Sequence, residues 1–332
     1  MPSPTTPYKT FMAAEHNRAG RVYVEMIPPE EFARGPGPGL LERFGLEAVL
    51  AVRPWDLSAL PQVLRGLRDT GVRTSLWPML ANEDGRWASS SNGEAFASFA
   101  RHVLDIADQA DHAPEHGDLF VDFEPRYAAV QQAAQGVRGL FRPPRASPRV
   151  DHERGAQALQ HLVQATESSG RQVVAAVVPV VAFGLRYARL LRTPPGALAA
   201  CSQIDAMGYT SMFEGWSRGT LGRSHARRLL FDVATRLVAA HGPRAALSLG
   251  TVGTGALVNE PCYRSAHELR EDVAIARAAG IGTLSLFELR GVLERGRPEA
   301  WLEAFASTEP AAAPPEEGRR TRLLTRALDT FG

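Results

Sequence analysis

The segment GDLFVDFEP, Gly117 to Pro125, sets Asp122 and Glu124 two residues apart inside an otherwise apolar run. Side chains alternate faces along an extended strand. Phe120, Asp122 and Glu124 therefore share one face, and Leu119, Val121 and Phe123 the other. Two carboxyl groups on one partly desolvated face cannot both ionise cheaply, so one is expected to hold a proton near neutral pH. A protonated acid beside an anion is what glycosidic bond cleavage uses, one group protonating the leaving oxygen.

These acids need a scaffold that covers the apolar face and opens the polar one. Short runs rich in Val, Leu, Ile and Phe alternate with stretches of helical spacing along the whole chain. Strand candidates open at Arg21, Leu46, Val72, Gly117, Gln172, Ile204, Ala245 and Ile281. Between them lie helix candidates such as LSALPQVLRGLRDTG and SAHELREDVAIARAAG, several closing on a glycine suited to a helix C-cap. The order predicts an α/β protein with a single-domain (β/α)8 TIM barrel over residues 21–306. Residues 1–20 form an N-terminal extension, and residues 307–332 a Pro/Ala-rich linker with a short C-terminal helix. An open doubly wound sheet fits less well: MIPPEEF stands where a dinucleotide fold carries its glycine-rich turn, and no P-loop occurs.

A barrel does its chemistry at the C-terminal ends of its strands. The groups expected to reach that mouth are Glu25 from strand one, Trp55 and Asp56 after strand two, and Trp77 on strand three. Asn82 and Trp87 follow strand three, Trp216 follows strand six, and Glu288 lies on strand eight. The tryptophans are either sugar-stacking platforms or core residues. Glu288, on an apolar strand, either serves the site or is held by an arginine such as Arg53.

Composition removes other chemistries. With 37 Lys and Arg against 36 Asp and Glu the formal net charge is +1, so no basic excess points to nucleic acid. Lys9 is the sole lysine, which excludes Schiff-base chemistry from a barrel lysine. Cys201 and Cys262 sit apart from any CxxC or Cys/His cluster, and His102, His112 and His116 fall before strand four, where surface positions are expected. Neither a cofactor nor a metal is expected. GTVGTG after strand seven lies where many barrels hold phosphate, but FELRGVLERG on the strand-eight side lacks the matching glycine pair. No apolar run approaches the roughly 20 residues needed to span a bilayer. The chain as it stands reads as cytoplasmic, or as secreted or a lipoprotein if a leader was trimmed. Its oligomeric state is open.

LFVDFEP resembles the end of the DxxDxDxE motif of family-18 glycoside hydrolases, the chitinase-like barrels. Glu124 falls on the general acid and Asp122 on the neighbouring aspartate, while Phe120 and Gly117 replace the two earlier aspartates. IDAMGYTS resembles the MxY(D/N) segment on strand six, with Met207 and Tyr209 in place and Thr210 where an acid or amide usually stands. LSLGTVGTG resembles the family's strand-seven region loosely. The resemblance implies substrate-assisted retention on a glycan bearing N-acetyl groups. Glu124 would protonate the leaving oxygen, and Asp122 and Tyr209 would orient and hydrogen-bond the acetamide. FEP is also similar to the NEP acid/base of other barrel glycosidases, whose partner is a strand-seven glutamate; here Glu260 lies in the loop beyond that strand. A carbohydrate-binding barrel without turnover is the alternative reading.

Overall fold

The computed structural model describes residues 20–128, 152–217, 219–253, 255, 260–311 and 313–331, with the Trp216 side chain outside that description. Eight parallel strands close into one barrel: β1 (Arg21–Val24), β2 (Glu47–Val52), β3 (Thr74–Pro78), β4 (Leu119–Phe123), β5 (Val173–Val177), β6 (Gln203–Met207), β7 (Ala245–Gly250) and β8 (Thr283–Phe287). β1 pairs with both β2 and β8, so no edge is left open and the doubly wound sheet is excluded. Helices anticipated from their spacing stand at Leu60–Thr70, Gly93–Gln109, His152–Ser168, Arg223–His241 and Ala266–Ala278. The first of these ends on Gly71, whose φ of +80° is the left-handed cap that a glycine adopts without steric cost.

The strand faces divide as alternation requires. Leu119, Val121 and Phe123 join Val22, Ala48 and Val173 in the layer shared with the helices, while Tyr23, Val49, Trp77, Phe120, Val174 and Phe287 fill the barrel interior. Buried ion pairs plug the barrel floor. Arg73 donates to Glu47 at 3.2 Å and to Asp118 at 2.6 Å, and Arg21 lies 3.7 Å from each of these acids while donating to Gln203. The Arg21 guanidinium also sits 5.1 Å from the Phe120 ring centre. Phe120 is thus part of the floor packing, not of the polar mouth. Gly117 has its own cause: a Cβ there would lie 1.9 Å from the Thr74 carbonyl oxygen, so no aspartate fits where β4 enters against β3.

His112 departs from the surface position expected of it. It is buried against Arg171, whose Nη1 lies 3.4 Å from its Nδ1, and burial together with that charge pushes its pKa down to about 4. His102 is exposed and His116 half-buried. The C-terminal helix Arg319–Phe331 docks on the barrel's outer layer. Asp329 accepts from Arg236 at 2.9 Å, and the Leu328 carbonyl accepts from the Tyr187 hydroxyl at 3.0 Å. Among the described residues no helix is long and apolar enough to cross a membrane.

Candidate active site

Asp122 faces the interior one position before the end of β4, directly above Phe120, and Glu124 follows the strand's last residue. Their carboxyl groups are hydrogen-bonded to each other. Burial, the Glu124 charge and the Glu25 charge raise the Asp122 pKa well above the carboxylate range, and burial and Glu25 push Glu124 up to about 8. Arg86 opposes both shifts without cancelling them. The pair therefore retains protons at neutral pH. Asp122 Oδ1 is buried with no hydrogen-bond partner among the described residues. The strand end is held by the loop after β3, where Ala88 N–H donates to the Asp122 carbonyl at 2.8 Å.

One wall of the mouth comes from β1 to β3. Glu25 Oε1 accepts from Arg53 at 3.2 Å and from Arg86, and Arg86 also donates to Asn82 Oδ1 at 3.0 Å. Gly85 at φ +103° and Arg86 at φ +62° turn the chain back so that this guanidinium enters the mouth. It lies 5.4 Å from the Trp87 ring centre and 5.1 Å from that of Tyr127. Burial and the neighbouring Arg86 lower the Arg53 pKa to about 10.

The opposite wall comes from β6 to β8. Tyr209, just past β6, stacks on Phe287 at 5.6 Å, and burial raises its pKa, helped by Tyr23, Asp205, Asp122 and Glu124. Glu288 caps the short helix Leu289–Glu294 by accepting from Gly291 N–H at 2.9 Å and Arg290 N–H at 3.1 Å. Arg53 thus pairs with Glu25, while Glu288 is held by backbone donors. Burial raises Glu288 to about 7. Glu260 folds back from the loop beyond β7: it is buried, accepts from Gly255 N–H at 2.7 Å, and its charge adds to the upward push on Glu124.

The remaining candidates divide by depth. Trp55 is 66% exposed on the rim, 5.9 Å from the Arg53 guanidinium, and is free to stack on a ligand. Trp77 is 3% exposed and packs edge-on to Tyr23 at 4.9 Å, so it belongs to the interior below the mouth. Asp56 is spent on a turn, accepting from Arg53 N–H at 2.8 Å. Met207 ends β6, register-paired with Ser248. Trp216 has its side chain outside the described set. Sequence reasoning passed over Tyr23 and Asp205 as interior groups, although each lies two residues before a chosen one, Glu25 or Met207, on the same strand face. Arg86 carried no such periodic signal.

No protein-family model matches the sequence, and no curated protein matches it. Solved structures do match in fold. The GH5_18 glycoside hydrolase of Bifidobacterium longum aligns with a TM-score of 0.55 at 11% identity, over 88% of this chain and 80% of that one. A class V chitinase mutant of Cycas revoluta in complex with (GlcNAc)3 aligns with a TM-score of 0.52 at 12% identity, over 86% and 99%. The group IV chitinase of Ostrinia furnacalis aligns with a TM-score of 0.50 at 11% identity, over 86% and 97%. The likeness is one of fold: this chain shares the (β/α)8 barrel of these glycoside hydrolases at low sequence identity.

Proposed function

We propose that this chain is a glycoside hydrolase acting on an oligo- or polysaccharide that bears N-acetyl groups. The observation that carries the reading is the hydrogen-bonded Asp122–Glu124 pair, proton-bearing at neutral pH, at the one end of the barrel its ion-pair floor leaves for chemistry. Glu124 gives its proton to the glycosidic oxygen as that bond breaks, and the substrate's acetamido oxygen attacks the anomeric carbon in place of a protein nucleophile. Asp122 accepts from the acetamide N–H with the oxygen that has no partner among the described residues, and the Tyr209 hydroxyl donates to the acetamide oxygen. The Glu124 carboxylate then takes a proton from the water that opens the cyclic intermediate. Trp55 offers the rim a stacking face. The chitinase whose structure contains (GlcNAc)3 shares this fold, which makes the same ligand a sensible first probe.

One observation favours a second reading, a barrel that binds glycans without cleaving them. The Thr210 hydroxyl is turned away from the mouth, donating to Asp272 and accepting from Arg223 at 2.9 Å, so that position brings neither acid nor amide to the site. One experiment decides between them: incubation with N-acetylglucosamine oligomers and a wider glycan panel, followed by reducing-end release and calorimetric binding. New reducing ends that vanish in Glu124→Gln support hydrolysis. Binding without release supports the second reading, and no binding to any glycan rejects both.

A further inference from the structure

Asn92 precedes the helix Gly93–Gln109 as its N-cap, the position from which an asparagine side chain ordinarily accepts from the helix's first free backbone N–H groups. Here it makes no such bond. The carboxamide turns back into the loop after β3 instead. Its Nδ2 donates to the Asp84 carbonyl at 3.1 Å and to the Trp87 carbonyl at 2.9 Å, and its Oδ1 accepts from Ser89 N–H at 3.0 Å and from Ser89 Oγ at 3.1 Å. A carboxamide has two N–H donors and one oxygen with two lone pairs, so its whole hydrogen-bonding capacity is given to this loop. Gly85 leaves the room for it, since a Cβ there would lie 2.8 Å from Asn92 Nδ2.

The loop tied in this way grips the chain on both sides of Glu124. Before it, Ala88 N–H donates to the Asp122 carbonyl at 2.8 Å, and Ala88 bridges in parallel to Phe123. After it, Tyr127 N–H donates to the Gly85 carbonyl at 3.3 Å, and the Tyr127 ring packs edge-on to Trp87 at 5.6 Å. The strand ladders do little of this work. β3 and β4 pair in register at Leu76 with Leu119, far below the mouth, and the β4–β5 register ends at Phe123 with Val177, one residue short of Glu124. The backbone of Glu124 is therefore set by its clasps at Asp122 and Tyr127. Both clasps belong to the loop, and Asn92 holds Asp84, Trp87 and Ser89, the residues that flank Gly85 and Ala88.

We propose that Asn92 is a positioning residue of the candidate active site: through the loop it holds, it fixes the segment from Asp122 to Tyr127 and with it the Glu124 carboxyl at the mouth. This rests on the glycosidase reading only for its kinetic consequence. The claim about position stands without turnover.

The test compares wild type with Asn92→Asp, which keeps the shape and the acceptor but removes both donors. NMR of the full chain reads two signals: amide exchange at Ala88 and Tyr127, and the 13C resonance of the Glu124 carboxyl, assigned by its loss in Glu124→Gln. In Asn92→Asp the two amides should exchange at least about tenfold faster while those of Leu247 and Leu286, on the far side of the barrel, keep their wild-type rates, and the Glu124 resonance should move or broaden. A loss of stability alone would speed all four amides together. Either signal unmoved, or all four amides accelerated equally, overturns the inference whether or not any glycan is cleaved. If N-acetylglucosamine oligomers are cleaved, kcat should also fall about tenfold with KM within about twofold of wild type, and a wild-type kcat overturns the inference while leaving the glycosidase reading intact. Should Asn92→Asp fail to fold, Ser89→Ala removes one hydrogen bond to Asn92 Oδ1 and is read by the same signals under the same rule.

Discussion

Glu124→Gln should make the protein both inactive and more stable, and the size of the second effect follows from the site. The Glu124 carboxyl is raised from the ordinary 4.5 to about 8 by burial and by Glu25. A raised carboxyl binds its proton more tightly in the native state than in the unfolded chain, so its contribution is full below pH 4.5 and is lost as pH climbs towards about 8. Each pH unit inside that window costs about 1.4 kcal/mol, so at pH 7 the wild type has given up roughly 3 kcal/mol relative to acid conditions. Glutamine has nothing to ionise, and its amide donates to Asp122 from the same place. Urea denaturation of both proteins at pH 4, 7 and 9 should show equal stability at the acid end and a variant more stable by about 3 kcal/mol at pH 7, widening further by pH 9. Turnover of a cleaved glycan should fall by several powers of ten with ligand affinity nearly intact. Parallel stability curves would refute the burial argument, and an active Glu124→Gln protein would refute the acid assignment.

Asp122→Asn should lower turnover by about two powers of ten in reducing-end release from a cleaved glycan, because the carboxyl hydrogen-bonded to Glu124 is replaced by an amide. Tyr209→Phe should cost less, about tenfold in kcat/KM, the worth of one hydrogen bond. Trp55→Ala should weaken glycan binding about tenfold in calorimetry while changing stability by no more than about 0.5 kcal/mol, since the ring is 66% exposed. Arg86→Ala should destabilise the fold by about 3 kcal/mol in urea titration, because the Glu25 side chain, 2% exposed, keeps only Arg53 as its ion-pair partner.

Period-two alternation alone placed Phe120, Asp122 and Glu124 on one face and Leu119, Val121 and Phe123 on the other, because a strand has only two faces and the helices must cover the apolar one. The eightfold β/α order likewise determined a closed barrel, since parallel strands need a covering helix after each, and the mouth location of the acids followed from chain direction. What local spacing could not carry was distance across the barrel. Glu25 reads as a lone carboxylate, yet Arg53 and Arg86 from two other connections pair with it. Glu260 reads as a loop residue outside the site, and only the return of that loop brings its charge onto Glu124. Trp77 reads equally as a platform or a core residue, and its depth is set by Tyr23, Phe120 and Phe287 meeting from β1, β4 and β8. Which acids keep their protons is likewise decided by the closed barrel, because desolvation and charge repulsion act through space between groups that chain connectivity leaves far apart.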